Sequence, residues 1–200
     1  MREEQEEKME ELALKAGFAA AAVIAPGDLV IVPEYRKFCE QNLCGNYGTC
    51  YGCPPYCGTV EEMRQTVLGY RHALVLQSRT RVENIFDEAE TKQIKRKHTR
   101  MTQQLIRSFK EQGLLEAKLV EEGTPIMAGA CNLCETCHMP AGESCPHEEK
   151  RFSCLSAYCI DASKMAQTCG MDMSWNGDVV SFFSVFLYEK RDLDGLDTLS

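Results

Sequence analysis

Cys131, Cys134 and Cys137 stand at i, i+3 and i+6, and a fourth cysteine, Cys145, follows a turn containing Gly142 and precedes Pro146. No other feature of the chain limits its fold as strongly. At that spacing a short loop turns successive thiols toward one centre, so residues 131–146 need a frame built around them. Soft thiolates on iron, with a loop wrapped round the cube, form the ligand pattern of a [4Fe–4S] cluster. Zinc is the alternative. Its sites usually come as paired Cys-x-x-Cys units with a longer gap between pairs, and three cysteines in one unbroken run favour the iron–sulfur cube. The step from Cys137 to Cys145 is longer than in the compact bacterial ferredoxin motif, so Cys145 either closes the same cluster or reaches a neighbouring one.

A second cysteine group lies upstream. Cys39, Cys44, Cys50, Cys53 and Cys57 fall within residues 39–57, interleaved with Gly45, Gly48, Gly52 and Pro54–Pro55. This is loop chemistry: glycines let backbone approach a bulky cofactor, and prolines fix the exit from the loop. Such a group supplies a second cluster or covers the first one, and its Cys-x-x-Cys pair also suits zinc.

Twelve cysteines in 200 residues are too many for incidental use. Disulfides would account for them only in a secreted chain. The N-terminus is acidic, without the basic and apolar regions of a signal peptide. The early apolar run 18–25 is broken by Pro26, Gly27 and Asp28 and is too short to span a bilayer. A reducing cytoplasm with thiols committed to metal is the expectation. The net charge of −8 argues against nucleic acid as the main partner.

Along the chain, residues 3–15 read as an amphipathic helix with Met9, Leu12 and Leu14 on its apolar edge, closed by Gly17. The run 18–24 suits a buried strand, with helix as competitor because of its four alanines. A turn at 26–28 and a short returning strand at 29–32 follow. Thr59 and Glu62 form a capping box that starts a helix running to about Gly69. Residues 74–76 and their flanks read as a strand. Asn84 is expected to cap a long helix to about Gln112, with Ile94, His98, Met101, Leu105 and Phe109 on one stripe. His98, being on that stripe, reads as a buried, satisfied histidine. Lys92, Lys95, Arg96, Lys97, Arg100, Arg107 and Lys110 share this segment with no acid between Thr91 and Lys110. That is either a solvated face or a dock for an acidic partner, a phosphate or an anionic cofactor. A short helix over 114–122, a strand over 124–130 leading into the cysteine motif, a helix over 155–168 closed by Gly170, and a central strand over 179–187 complete the reading. The tail from 190 is polar and expected to be loose. Strands alternating with helices predict α/β or α+β: one domain over 1–200, a mixed sheet of about four or five strands flanked by helices, and cysteine-rich metal-binding loops.

The stretch Cys44–Tyr56, with Gly45, Gly48, Gly52, Cys53, Pro54 and Pro55, and the stretch Ala128-Gly129-Ala130 running into Cys131, Cys134 and Cys137, resemble the DUF2284 family of predicted metal-binding proteins. The segment from Cys145 through Ala157, Tyr158, Cys159, Ile160 and Asp161 is similar to that family's region after its last motif cysteine. Together these pieces cover roughly a third of the chain. The resemblance implies an iron–sulfur or metal protein of the kind found in anaerobic bacteria and archaea, and no particular reaction. It implies ligand positions at Cys39, Cys44, Cys53, Cys131, Cys134, Cys137 and Cys145. It sets Cys50 and Cys57 where other residues are usual. Cys154 and Cys159 fall where Ser and Gly are common, which makes them small buried thiols, and Cys169, with no motif around it, reads the same way. Asp161 falls inside the helix expected over 155–168, where a solvated or ion-paired carboxylate is the ordinary role.

The leading expectation is a cytosolic protein with a [4Fe–4S] cluster at Cys131, Cys134, Cys137 and Cys145. A second site is expected near Cys39, Cys44 and Cys53, with Cys57 or Cys50 as fourth ligand. Electron transfer to a partner steered by the basic helix 92–110 would follow. A cluster-dependent enzyme with an open iron position is the second reading, with Tyr47, Tyr56 and His138 as nearby proton donors. A zinc-stabilised interaction module is the third. A homodimer with ligands contributed between copies stays open, and nothing in the sequence calls for a membrane. The chain has no P-loop, dinucleotide fingerprint, His-Glu-x-x-His or nucleophile elbow.

Overall fold

Alternation along two long strands decides the architecture. Ala73 and Val75 pack into one apolar cluster while Leu74 and Leu76 pack into another, because successive strand residues point to opposite faces. Phe183, Val185 and Leu187 likewise join the first cluster, and Phe186 and Tyr188 the second. A sheet apolar on both faces needs a cover on each.

The computed structural model describes residues 2–174 and 177–191. In chain order the elements are α1 (Arg2–Lys15), β1 (Ala20–Ile24), α2 (Arg36–Glu40), α3 (Val60–Leu68), β2 (Tyr70–Arg81), α4 (Glu88–Glu111), α5 (Ala117–Glu121), β3 (Thr124–Met127), β4 (Ser153–Cys154), α6 (Ala162–Thr168) and β5 (Val179–Lys190), with short 3-10 turns between them. The strands form one sheet in the order β1-β2-β5-β3-β4. Neighbours are antiparallel except β3 and β4, so the fold is α+β with a mixed sheet. Met63 and Val67 of α3 with Met165 and Ala166 of α6 cover one face. Met9 and Ala13 of α1 with Leu105, Ile106 and Phe109 of α4 cover the other.

The region 179–187 is the central strand, as its apolar run predicts, and it extends to Lys190. The polar tail expected from 190 begins inside that strand; residues 192–200 lie outside the described residues. The capping box is present: Thr59 and Glu62 bond reciprocally, and α3 closes on Gly69. Residues 20–24 do form a strand, but at the sheet edge and only half buried, since β2 is its sole partner. The return strand expected at 29–32 reduces to a single bridge between Ile31 and Ile160, after which Pro33 enters a 3-10 turn.

Other boundaries shift for local reasons. The long helix is capped by Asp87, whose Oδ1 accepts from the Ala89 and Glu90 N–H groups; Asn84 instead closes a turn by accepting from Phe86 N–H. The helix expected over 114–122 is confined to Ala117–Glu121. Strand β3 stops at Met127, where its pairing with β4 ends, and does not reach Ala130. The helix expected over 155–168 starts only at Ala162. Residues 156–159 form a turn with Cys159 at φ +55, so the apolar spacing from Leu155 onward belongs to a turn and a helix packed on the same cluster. Asp161 is therefore the α6 N-cap. Its Oδ1 accepts from the Ser163 and Lys164 N–H groups, and Oδ2 accepts from Tyr35 Oη at 3.2 Å. Helix α2, which carries Cys39, had no signal in the sequence reading. Among the described residues no helix is long and apolar enough to cross a membrane.

Candidate metal centre

Strand β3 delivers the chain to the site. After Met127 the backbone turns through residues 128–130 into Cys131, and it returns at β4 to pair in parallel with Ile126 and Met127. Residues 131–151 are thus a long crossover at the β4 edge of the sheet. The first cysteine loop lies between α2 and α3 and is tied to this crossover. Tyr51 Oη donates to the Glu143 carbonyl at 2.9 Å, and the Arg151 guanidinium lies 5.8 Å from the Tyr51 ring centre. Gly52 makes a close approach of its own. A Cβ there would sit 2.3 Å from the Phe152 carbonyl oxygen and 3.0 Å from Cys131 Cβ.

Between the two loops is a cleft of about 350 Å³, counting the part that opens to solvent. Cys50, Cys131, Cys134, Cys137 and Cys145 line it, together with His138, His147 and Arg151. No Asp or Glu lines it among the described residues. A donor set of five sulfurs suits a soft metal or an iron–sulfur cluster and is wrong for hard cations. The thiols stand round the cleft; among the described residues no three His, Cys, Asp or Glu side chains gather closely enough to share one ion.

Backbone N–H groups already point at these sulfurs. Those of Leu133 and Phe152 bond Cys131, and those of Gly52 and Cys131 bond Cys50. Burial pushes the Cys131 thiol up, and the two N–H bonds oppose it. Cys50 is held below the ordinary thiol range, first by a bond from the Cys53 thiol and further by Gly52 N–H and Cys137, while the same bond pushes Cys53 up. Metal entering such a site must displace protons from buried thiols, so loading weakens as pH falls.

The structure therefore brings together all four cysteines of the 131–146 motif and adds Cys50. The other first-loop cysteines do not line the cleft. Cys39 sits in α2, its Sγ 3.7 Å from the Ser156 carbonyl, and burial first and the Cys154 charge next push it up to about 11. Cys57 Sγ lies 3.7 Å from Arg36 Nη1, and Arg36 Nη2 donates to the Ala157 carbonyl at 3.0 Å. Cys44 is exposed and Cys53 buried. His138 lines the cleft with Nδ1 2.7 Å from Glu143 Oε2, whereas Tyr47 and Tyr56 do not line it. Sequence reasoning missed Tyr51, His147, Arg151 and Arg36. The only signal for the approach of the loops was Gly52 between Cys50 and Cys53.

The basic helix borders this region. A Cβ on Gly129 would meet Lys95 Cδ at 2.8 Å, so the Lys95 stem packs two residues from Cys131. Lys92 pairs with Glu88 and Lys110 with Glu121, while Arg96, Lys97, Arg100 and Arg107 are exposed with no ion pair among the described residues.

Two cysteine loops closing a thiol-lined cleft on an α+β frame define a cysteine-rich protein of metal-binding type. The chain belongs to the DUF2284 family of predicted metal-binding proteins, whose family profile matches residues 22–188. It matches no curated protein and no solved structure.

Proposed function

We propose that the protein holds a [4Fe–4S] cluster on Cys131, Cys134, Cys137 and Cys145 and passes single electrons to a partner protein in a reducing cytoplasm. The observation that carries this reading is the cleft itself: five cysteines, no carboxylate in its lining among the described residues, and backbone N–H groups aimed at two of the sulfurs. A bound cluster supplies one-electron chemistry whose potential follows N–H bonds to sulfur, burial and local charge. Here the chain's contributions are the N–H groups of Leu133, Phe152, Gly52 and Cys131, the Arg151 cation at the cleft, and the partial cover given by Tyr51. Arg96, Lys97 and Arg100, beside Lys95 and the start of the cysteine crossover, give an acidic partner a place to dock near the cleft.

Protein prepared without oxygen should contain iron and acid-labile sulfide in equal amounts, and on reduction give the paramagnetic resonance signal of a reduced cube. Stoichiometric zinc without sulfide overturns the cluster reading. Electron transfer from the reduced protein to an acidic acceptor protein should slow as salt rises, since exposed charges are screened beyond about 8 Å at physiological ionic strength. A salt-independent rate removes the basic helix from the docking role.

A second reading, an open iron position acting as Lewis acid, draws on His138 and His147 in a cleft that opens to solvent. Cyanide added to the reduced sample separates the two, because an open iron changes the spectrum and a fully ligated one leaves it unchanged.

A further inference from the structure

The two cysteine loops meet at neighbouring residues in two different ways. At Gly52 the contact is close packing of main chain: a Cβ there would stand 2.3 Å from the Phe152 carbonyl oxygen, with no side-chain end free to turn aside. At Tyr51 the contact is one side chain. Its Oη donates to the carbonyl of the exposed Glu143 at 2.9 Å, within reach of water. Both ends of this bond are set by tight turns. Cys53 N–H donates to the Cys50 carbonyl at 2.9 Å, which puts Tyr51 at a corner of the turn 50–53. Glu143 closes a turn on His138: its N–H donates to the His138 carbonyl at 3.2 Å, and its Oε2 lies 2.7 Å from His138 Nδ1. The Tyr51 ring is steadied by the Arg151 guanidinium, 5.8 Å from its centre, and by the Tyr56 ring, edge-on at 5.9 Å. Cys50 precedes Tyr51, Cys145 follows Glu143 by two residues, and both cysteines line the cleft, so the bond ties one wall of the cleft to the other.

We infer that Tyr51 is a clasp on the metal site: bonded to Glu143 it holds the cysteine loops closed over the metal group, and its release opens the way by which that group enters and leaves. The chemistry suits a part that opens and shuts. A buried bond between the loops would leave unpaired polar groups when broken, whereas water replaces either partner of an exposed one, so the net weight of this bond is small. Opening at Tyr51 also displaces no thiol from its own loop, because the turns 50–53 and 138–143 each close on themselves. This rests on the cleft being the metal site, and not on the metal being an iron–sulfur cube.

The test is the rate at which the full-length protein, prepared without oxygen, yields its metal to excess chelator, bathophenanthroline for iron and pyridylazoresorcinol for zinc. Tyr51→Phe removes the hydroxyl and keeps the ring, and should release metal about two- to tenfold faster than the wild type, the weight of one such bond. Tyr51→Ala also gives up the Arg151 and Tyr56 contacts and should release it faster still. Tyr47→Phe, on the same loop but outside the cleft lining, should match the wild type. Opening at the clasp exposes little surface, so the release rate of Tyr51→Phe should hardly change in dilute urea. A steep rise with urea would mean that metal leaves by unfolding, and overturns the clasp; so do wild-type release rates in both Tyr51 variants. Zinc without sulfide ends the cluster reading alone, since the comparison is then made on zinc. For protein that carries no metal, iodoacetamide decides, with the exposed Cys44 as reference. Faster alkylation of Cys134 and Cys145 in Tyr51→Phe than in the wild type supports the clasp, and equal rates overturn it.

Discussion

Gly52→Ala is expected to strip most of the metal from the protein while leaving the sheet folded. The added Cβ would stand 2.3 Å from the Phe152 carbonyl oxygen and 3.0 Å from Cys131 Cβ. Neither neighbour is the free end of a flexible side chain, so relief requires the two cysteine loops to separate. Overpacking of this kind costs roughly 1–3 kcal/mol and is felt where the clash lies. Here it lies between Cys50 and Cys53 on one loop and Cys131 on the other. Both Gly52 and Phe152 also aim N–H groups at cleft sulfurs. Disturbing the groups that orient metal ligands weakens affinity by about 10–100-fold, which a chelator competition measures directly. Gly27→Ala is the control, because nothing lies within 4 Å of a Cβ there. Wild-type chelator resistance in Gly52→Ala would mean that the loops do not meet at this glycine.

The second large effect concerns acid stability. His98 is fully buried on α4 between the two long strands, its Nδ1 2.7 Å from Ser78 Oγ and its Nε2 3.0 Å from Ser184 Oγ. The proton count assigns the bonds. Thr102 Oγ1 donates to the His98 carbonyl, so Ser184 must donate to Thr102 and accept from His98 Nε2–H, and Ser78 must donate to Nδ1. This closed chain holds a neutral imidazole. Phe18 lies edge-on to the ring at 5.5 Å, and burial lowers the His98 pKa from 6.5 to about 4.

Between those values the unfolded chain binds a proton at this position that the folded chain does not, so stability is complete above about pH 6.5 and falls as pH drops toward 4. At about 1.4 kcal/mol per pH unit across that window, the loss is about 3 kcal/mol. Urea midpoints measured from pH 7 to pH 4.5 should fall more steeply for the wild type than for His98→Gln, which keeps a polar side chain but cannot titrate. Parallel slopes would show that His98 is not the group that charges on unfolding.

Periodicity and capping made much of the frame legible. The strand at 179–190 announced itself as a largely apolar run over 179–187, and Thr59 with Glu62 marked the start of α3, because both signals are local: an apolar run and a cap pair are read from residues close in sequence. Signals failed where the deciding contact was distant. Leu155, Tyr158 and Met165 have the spacing of one helix, yet Cys159 turns left-handed and Asp161 starts a new helix, since both segments need only to reach the same apolar cluster. One failure was local instead: Asn84 and Asp87 are equally good caps by composition, and the turn that Asn84 closes left the cap to Asp87.

The cysteines divide in the same way. Spacing alone placed Cys131, Cys134 and Cys137 together, because three thiols at i, i+3 and i+6 on a short loop cannot stray far from one another, and all three line the cleft. The sequence could not say which side of the first loop faces them. Gly52 pressed against Phe152 and Cys131 brings Cys50 into their cleft, while Cys39, Cys44, Cys53 and Cys57 do not line it. The chain by itself determined that it carries clustered thiols on a layered frame of strands and helices, since composition and local pattern suffice for that; the antiparallel pairing that makes it α+β came from the structure. Which thiols line the cleft was decided by the tertiary structure, because it depends on the pairing of β3 with β4 and on a contact between Gly52 and Phe152, residues about a hundred positions apart.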